Sequence, residues 1–500
     1  MSYYRFLEIV PGALDWATFI SMVVFSYLAP SYVAVFIILF DVYWLLKTIH
    51  FILHIQSGFS EMQKNLKINW LDQLKEINKP FGDIYHLIIF PMYKEPHSLV
   101  KETFESLSKA NYDLNKFIVV LATEERAGDE AQGIAKKIEQ EFGNKFHKFL
   151  ITTHPSNLEG EIHGKGSNET WAGKEAKRLI IDPLNIPYEN ILVSVFDVDT
   201  QIFPEYFGRL SYIFLTTPFP QRSSYQPIPL YINDIYKASA IARVVAFSIS
   251  SSQIMNQMRP DKLVTFSSHS TPFKALVEIG FWSVTHVSED SIIFWQLYLH
   301  YNGDWRAVAL GYPVSMDSNV APTFWQSMVN IYKQQRRWGW GAENIPYLLN
   351  GFSKNKIIPL REKIKWSLYN IQLCWEWATS AILIFALGWL PVALGGQKFN
   401  LTVLSYSLPE ITRDIMILTS IGIISLIFVS IVLLPPKPNW FRPWHYLIYI
   451  VQWVLLPFTL IIFGAIPGLE AHTRLMLGGK SRLGFWPTPK TRSDLDVSRQ

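Results

Sequence analysis

The sequence predicts a Rossmann-like α/β domain inserted between N- and C-terminal transmembrane helices. Three observations carry this reading. Apolar residues gather at the two ends of the chain, strand and helix patterns alternate in the more polar block between, and a buried strand in that block ends in two carboxylates, Asp197 and Asp199. Alternating strands and helices imply a parallel, helix-covered sheet, and ligands of such sheets sit outside the carboxyl ends of the strands.

Composition sets the class. Of 500 residues, 49% are hydrophobic, 15% aromatic and only 17% charged, with 18 Trp. That is more aromatic and less charged than a typical soluble enzyme. A net charge of +4 is too small to argue for a nucleic-acid partner. The single cysteine, Cys374, excludes an intrachain disulfide and a cysteine-based zinc site. The N-terminus lacks a basic stretch and a small-residue cleavage site, so no signal peptide is expected.

At the N-terminal end, apolar runs from about Leu14 to Leu28 and Tyr32 to Ile55 flank Ala29-Pro30-Ser31 and predict a transmembrane hairpin over residues 1–55. Asp41 lies inside the second run, where an acid normally faces a protein interior or a wet cavity. Lys64, Lys67, Lys75 and Lys79 follow at once, and the positive-inside rule assigns that side to the cytoplasm.

The polar block, residues 56–322, predicts strands at Asp83–Phe90, Lys116–Ala122 and Lys148–Thr152, with helices between. The first strand runs into Pro91-Met92-Tyr93-Lys94-Glu95, the second into Thr123-Glu124-Glu125. His163-Gly164-Lys165-Gly166 opens a helix, where free backbone N–H groups and an ammonium can cradle phosphate; a solvated surface loop is the alternative. The strand Ile191–Val195 then delivers Asp197 and Asp199, hard oxygen ligands suited to Mg²⁺ or Mn²⁺, which usually arrive shared with phosphates. Turn or N-cap duty is the alternative for both. The segment Gln226–Asn256 is read as helix covering the sheet. A polar loop with Ser267 and His269 follows, then Ser288-Glu289-Asp290 at a helix start, where helix capping is the alternative duty for Asp290.

Residues 323–352 predict an amphipathic helix lying on the membrane surface, with Gln334, Arg337 and Trp338 on one face at i, i+3 and i+4 and with Trp325, Met328, Ile331 and Tyr332 as an apolar stripe. Three apolar spans follow within 366–468, near Trp366–Leu394, Ile411–Leu434 and Tyr446–Ile466. A basic tail, 469–500, with Arg474, Lys480, Arg482, Lys490 and Arg492 is expected in the cytoplasm. Two spans before the block and three after would put that tail outside. Either the Pro457-containing span is then re-entrant or interfacial, or the 366–394 stretch includes a non-spanning part.

In this order, the Pro91–Glu95 turn, the Lys165-Gly166 segment, Asp197-Val198-Asp199, Ser288-Glu289-Asp290 and Gln334-x-x-Arg337-Trp338 make the chain resemble membrane-integrated, cellulose-synthase-like family 2 glycosyltransferases. The resemblance covers roughly residues 84–345. It implies a GT-A fold and transfer of sugar from a nucleotide-diphosphate donor with inversion. It also implies roles: Tyr93, Glu95 and Glu124 at the nucleotide, Lys165 at the diphosphate, Asp197 at the nucleotide and Asp199 at the metal. Asp290 would be the general base with Glu289 beside it, and Gln334, Arg337 and Trp338 would hold donor and acceptor at a channel mouth. His269 stands in the loop where true cellulose synthases carry a cysteine motif, and is counted with the substrate-binding residues. Ser288 replaces the usual threonine, and Glu124-Glu125 stand where an aspartate is usual.

The implied partners are a nucleotide-sugar donor, a glycan or glycolipid acceptor, the lipid bilayer and an accessory export subunit, with the protein in the inner or plasma membrane. The expected activity is extension of a polysaccharide, with export past Asp41, Trp44, Trp375, Glu376 and Trp377. Single-sugar transfer to a lipid-linked acceptor and a non-catalytic scaffold are the alternatives. No C-terminal regulatory domain is expected.

Overall fold

The computed structural model describes residues 2–77 and 79–489, so Lys490 and Arg492 of the predicted tail lie outside the described residues. Helix α1 (Tyr3–Leu28) and helix α2 (Pro30–Asn65) form the N-terminal hairpin, with Pro30 in the first turn of α2, where its missing N–H leaves no bond unmade. Both are longer than the apolar runs. The last third of α2 buries Ile55, Phe59 and Met62 against the sheet domain, and Asn65 Nδ2 donates to Gly311 O at 3.0 Å.

The sheet domain starts with α3 (Trp70–Glu76) and runs β1 (Tyr85–Pro91), α4 (His97–Ser108), β2 (Phe117–Glu124), α5 (Asp129–Phe142), β3 (Lys148–His154), α6 (Lys165–Ala176), β4 (Ile191–Val195), β5 (Gln201–Ile202) and α7 (Tyr206–Thr216). It continues through β6 (Ser223–Tyr231), α8 (Ala240–Gln257), β7 (Ser270–Pro272), α9 (Phe273–Ile279), α10 (Glu289–His300) and β8 (Arg306–Met316). The strands form one sheet in the order β3-β2-β1-β4-β7-β6-β8-β5. Strand alternation divides the core: Ile88 and Phe90 of β1 pack toward α4, α5 and α7, whereas Leu87 and Ile89 pack toward α6, α9 and α10.

Two expectations need correction. The sheet is mixed, because β7 runs antiparallel to β4 and β6, and β5 antiparallel to β8. Gln226–Asn256 is not all helix, since its first residues belong to β6, which is buried along its whole length. Pro227 and Pro229 hid that strand. The register of β6 against β8 shifts between Gln226 and Ile228, the kind of irregularity at which a residue lacking N–H is tolerated in a central strand. Nor was β8 expected, with Gly311 at positive φ and Pro313 interrupting its apolar run.

After the sheet come α11 (Phe324–Gly339), α12 (Asn344–Lys354) and α13 (Leu360–Ile382), so the predicted 323–352 helix is two helices joined by a turn. Met328 and Ile331 face the domain core, Trp325 faces outward, and Tyr332 OH donates to Glu470 Oε2 at 2.7 Å.

Among the described residues, five helical stretches are long and apolar enough to cross a membrane: Tyr3–Leu28, Pro30–Asn65, Leu360–Leu387, Val403–Val432 and His445–Leu477. The last is tied to α8 of the sheet domain near its start and to α11 near its end. Arg243 Nε of α8 donates to Gln452 Oε1 at 2.7 Å, and Arg336 Nη1 of α11 donates to Glu470 Oε1 at 2.7 Å. The first part of α13 is likewise embedded, with Trp366 edge-on to Trp295 at 5.2 Å. Arg482, beyond the last rod, pairs with Glu8 near the start of α1.

Candidate active site

The carboxyl edge of β1, β2 and β4 gathers the residues singled out in the sequence. Beyond β4 the chain turns through Asp197–Thr200, closed by Thr200 N–H on Asp197 O at 2.8 Å and pinned to α4 by Thr103 Oγ1 on Val198 O at 2.6 Å. This turn aims the two aspartates differently. Asp197 Oδ1 faces Lys165 Nζ at 2.9 Å, and its Oδ2 accepts Ser267 Oγ at 2.9 Å. Asp199 is buried, and its Oδ2 accepts the backbone N–H of Asp317 at 3.1 Å.

Lys165 opens α6, which Asn168 ties to the end of β2 by donating to Ala122 O at 2.7 Å. Its ammonium is buried among acids: besides Asp197 it lies 3.4 Å from Glu289 and 3.5 Å from Glu169. Burial opposes its charge, but Asp197, Glu169 and Glu289 together raise its pKa well above the usual lysine value. Burial pushes Glu289 up to about 7, helped by the charge of Asp290, and raises Asp290 as well.

Ser288 at the N-cap of α10 makes no side-chain cap hydrogen bond, and Glu289 and Asp290 lie in the first turn. Glu343, from the turn after α11, takes the backbone N–H groups of Val287 and Ser288 at 2.9 Å each and that of the Trp340 indole at 2.9 Å. Asp290 is thereby left half-buried at the helix start, within electrostatic reach of Lys165, Asp197 and Arg337.

On α11, successive arginines separate. Arg336 turns to Glu470, whereas the buried Nε of Arg337 has no hydrogen-bond partner and its guanidinium lies 5.0 Å from the Phe485 ring. Gln334 Oε1 accepts Asn319 Nδ2 at 3.3 Å, and Trp338 packs against Tyr231 and Phe266 at 6.0 and 5.9 Å. At the other end of the edge, Glu95 Oε2 holds the backbone N–H of Tyr93 at 2.7 Å. Arg126 covers the Tyr93 ring at 4.5 Å while donating to Glu124, so Tyr93, Glu124 and Arg126 form one flat patch.

His269 lies behind the site, within electrostatic reach of Lys165 and Asp197. It is buried, with Nε2 toward the Trp282 indole at 3.5 Å, and burial pushes its pKa down to about 3, leaving it neutral. Sequence reasoning passed over Glu169, Asp317, Glu343 and Asn233, whose Nδ2 donates to Asp199 O at 3.0 Å, and also the strap Arg482–Pro489. There Phe485 presses so closely on Gly164 that a Cβ would lie 2.9 Å from its Cβ. The aromatic pair Phe485-Trp486 inside a basic tail was the available signal.

Among the described residues, no group of three or more His, Cys, Asp or Glu side chains is placed to hold a metal ion. The Asp197–Asp199 pair does fit a hard divalent cation bound through one or two carboxylates and completed by substrate phosphates.

A family model described as Glycosyl transferase family group 2 matches residues 192–467. No curated protein matches the chain. Among solved structures, the mannosyltransferase PcManGT from Pyrobaculum calidifontis, in complex with GDP-Man and Mn²⁺, is 12% identical, with 82% of this chain and 98% of that chain covered and a TM-score of 0.38. S. aureus TarS 1-349 in complex with UDP-GlcNAc is 12% identical, with 69% and 92% covered and a TM-score of 0.36.

Proposed function

This chain belongs to glycosyl transferase family group 2, and on that premise we propose that it is an inverting transferase that uses a nucleotide-diphosphate sugar to extend a polysaccharide at the membrane. The observation that carries the reading is the convergence of a buried lysine, a D-x-D turn, a half-buried aspartate and an unpartnered arginine N–H on one edge of the sheet. Departure of a nucleoside diphosphate develops negative charge, which Lys165 and the buried N–H of Arg337 are disposed to neutralise. Asp197 and Asp199 would hold Mg²⁺ or Mn²⁺, which when bound supplies further charge neutralisation at the phosphates. Inversion needs one in-line displacement, hence one base. Asp290 removes the acceptor proton, with Glu289 beside it. Tyr93, Glu95 and Glu124 face the nucleotide, and Gln334 and Trp338 the sugars, the indole offering a flat apolar surface with a polar edge.

In this reading residues 56–322 form the cytoplasmic catalytic domain and 323–352 an interfacial unit. Residues 1–55 and 366–468 lie in the inner or plasma membrane. Export of the product, with an accessory subunit, extends the proposal. Within the apolar region Glu376 is held by Tyr43, Lys47 and Gln372, a polar cluster of the kind a hydrated chain requires. The test is transfer by the detergent-purified protein offered a panel of UDP- and GDP-sugars with Mg²⁺ or Mn²⁺. Turnover of one donor into long products supports the reading. Products one sugar longer than a lipid acceptor would favour single transfer, and no turnover with any donor would overturn it.

A further inference from the structure

Glu169 lies one helical turn beyond Lys165 on α6, fully buried, and neither of its carboxylate oxygens accepts a hydrogen bond. The cation nearest to it is Lys165 Nζ, 3.5 Å away. A buried carboxylate left this way costs stability, because it has given up water without a full replacement. An apolar side chain would fill the same space at lower cost. The surroundings offer no structural duty to offset that loss, since α6 is already tied down by Asn168 on Ala122 O at 2.7 Å and Thr170 on Trp282 O at 2.9 Å.

The geometry around Lys165 supplies a reason. Asp197 reaches the ammonium from the open side of the site at 2.9 Å, while Glu169 and Glu289, both buried, reach it at 3.5 and 3.4 Å. With Asp197 alone, the ammonium would close onto that carboxylate and compete with an incoming phosphate. We propose that Glu169 is a positioning residue that holds Lys165 at the diphosphate position when Asp197 is engaged by the donor. This deepens the donor-site reading above and rests on it. Burial raises the carboxyl of Glu169 well above the ordinary range; Lys165 works against that rise, and the charges of Glu289, Asp197 and Asp290 add to it.

The role makes stability and binding move in opposite directions. Glu169→Leu should raise the melting temperature. It should also weaken UDP or GDP binding, measured calorimetrically with Mn²⁺, by about tenfold, the scale of one charge-assisted contact. UMP or GMP, which lacks the second phosphate, should bind the parent and the variant alike. Glu169→Gln, which keeps shape and one acceptor, should recover part of the loss. Unchanged diphosphate affinity in Glu169→Leu would overturn the proposal, as would equal losses for mono- and diphosphate. If the Leu variant fails to fold, Glu169→Gln decides: parental diphosphate affinity overturns the proposal, and a selective loss supports it. A parent protein that binds neither UDP nor GDP would remove the donor-site reading and this proposal together. Parental binding that the variants retain would remove this proposal alone.

Discussion

Glu343 and Ser288 sit 55 residues apart in sequence, yet one oxygen of Glu343 accepts the Ser288 backbone N–H at 2.9 Å and so sets the start of the helix that carries Asp290. Burial holds the Glu343 carboxyl up to about 7 from an ordinary value of 4.5. The folded state therefore binds more protons than the unfolded chain between those two values. The stability involved is fully present below the unfolded pKa and is lost as pH rises through the folded one. Glu343→Gln keeps an acceptor for the N–H groups and removes the titration. It should flatten part of the fall in melting temperature between about pH 4.5 and 7, a contribution on the order of 3 kcal/mol. Glu289, also up to about 7, retains its own share. Thermal melts across that range check the difference.

Asp290→Asn removes the proposed base without adding bulk. Transfer should fall about 10²–10⁴-fold while nucleotide binding persists. In the parent, burial raises Asp290, so the rate should drop on the acid side at a pH above the ordinary aspartate value of 3.8. A pH–rate profile with a saturating donor tests this, and an acid limb at or below that value would count against Asp290 as the base.

How much of this was legible in the sequence differs by element. The first half of the sheet follows from uninterrupted apolar strands and amphipathic helices such as Asp129–Phe142. The second half was obscured because β6 and β8 carry prolines and polar residues inside largely buried strands, where neither alternation nor helical period survives. The motif residues Lys165, Asp197, Glu289 and Asp290 do meet, as their order suggested. Glu169 and Glu343 were invisible because their importance lies in what surrounds them: a lone glutamate on a helix reads as solvated surface until its burial is known.

Arg337→Lys retains a positive charge but loses the planar fork whose buried Nε has no hydrogen-bond partner. If that N–H serves the departing diphosphate, kcat/KM should fall about 10²-fold. Arg336→Lys, which alters only the contact with Glu470, should change it little. Steady-state kinetics on the two variants separates a substrate contact from general positive charge on α11.

Gly164→Ala tests the C-terminal strap. The backbone there is extended, so alanine brings no conformational strain, yet its Cβ would stand 2.9 Å from Cβ and Cγ of Phe485. Real Cβ atoms do not approach that closely, and the atoms met are the root of the ring rather than a flexible end. The strap must therefore lift. Hydrogen exchange in residues 482–489 should rise in the variant, while β1 and β4 stay protected as in the parent.

The pairing of Arg482 with Glu8, and of Phe485 with Gly164 and Arg337, puts residues 482–489 on the same side as the sheet domain. If the last rod crossed a bilayer, that segment and the sheet domain would lie on opposite faces. A chain with Cys374 replaced by Ser and Gly484 by Cys should be labelled by an impermeant maleimide from the side that labels a cysteine at exposed Lys67. Labelling from the opposite side would mean that the His445–Leu477 helix spans after all and that its hydrogen bonds to α8 and α11 do not form in the membrane.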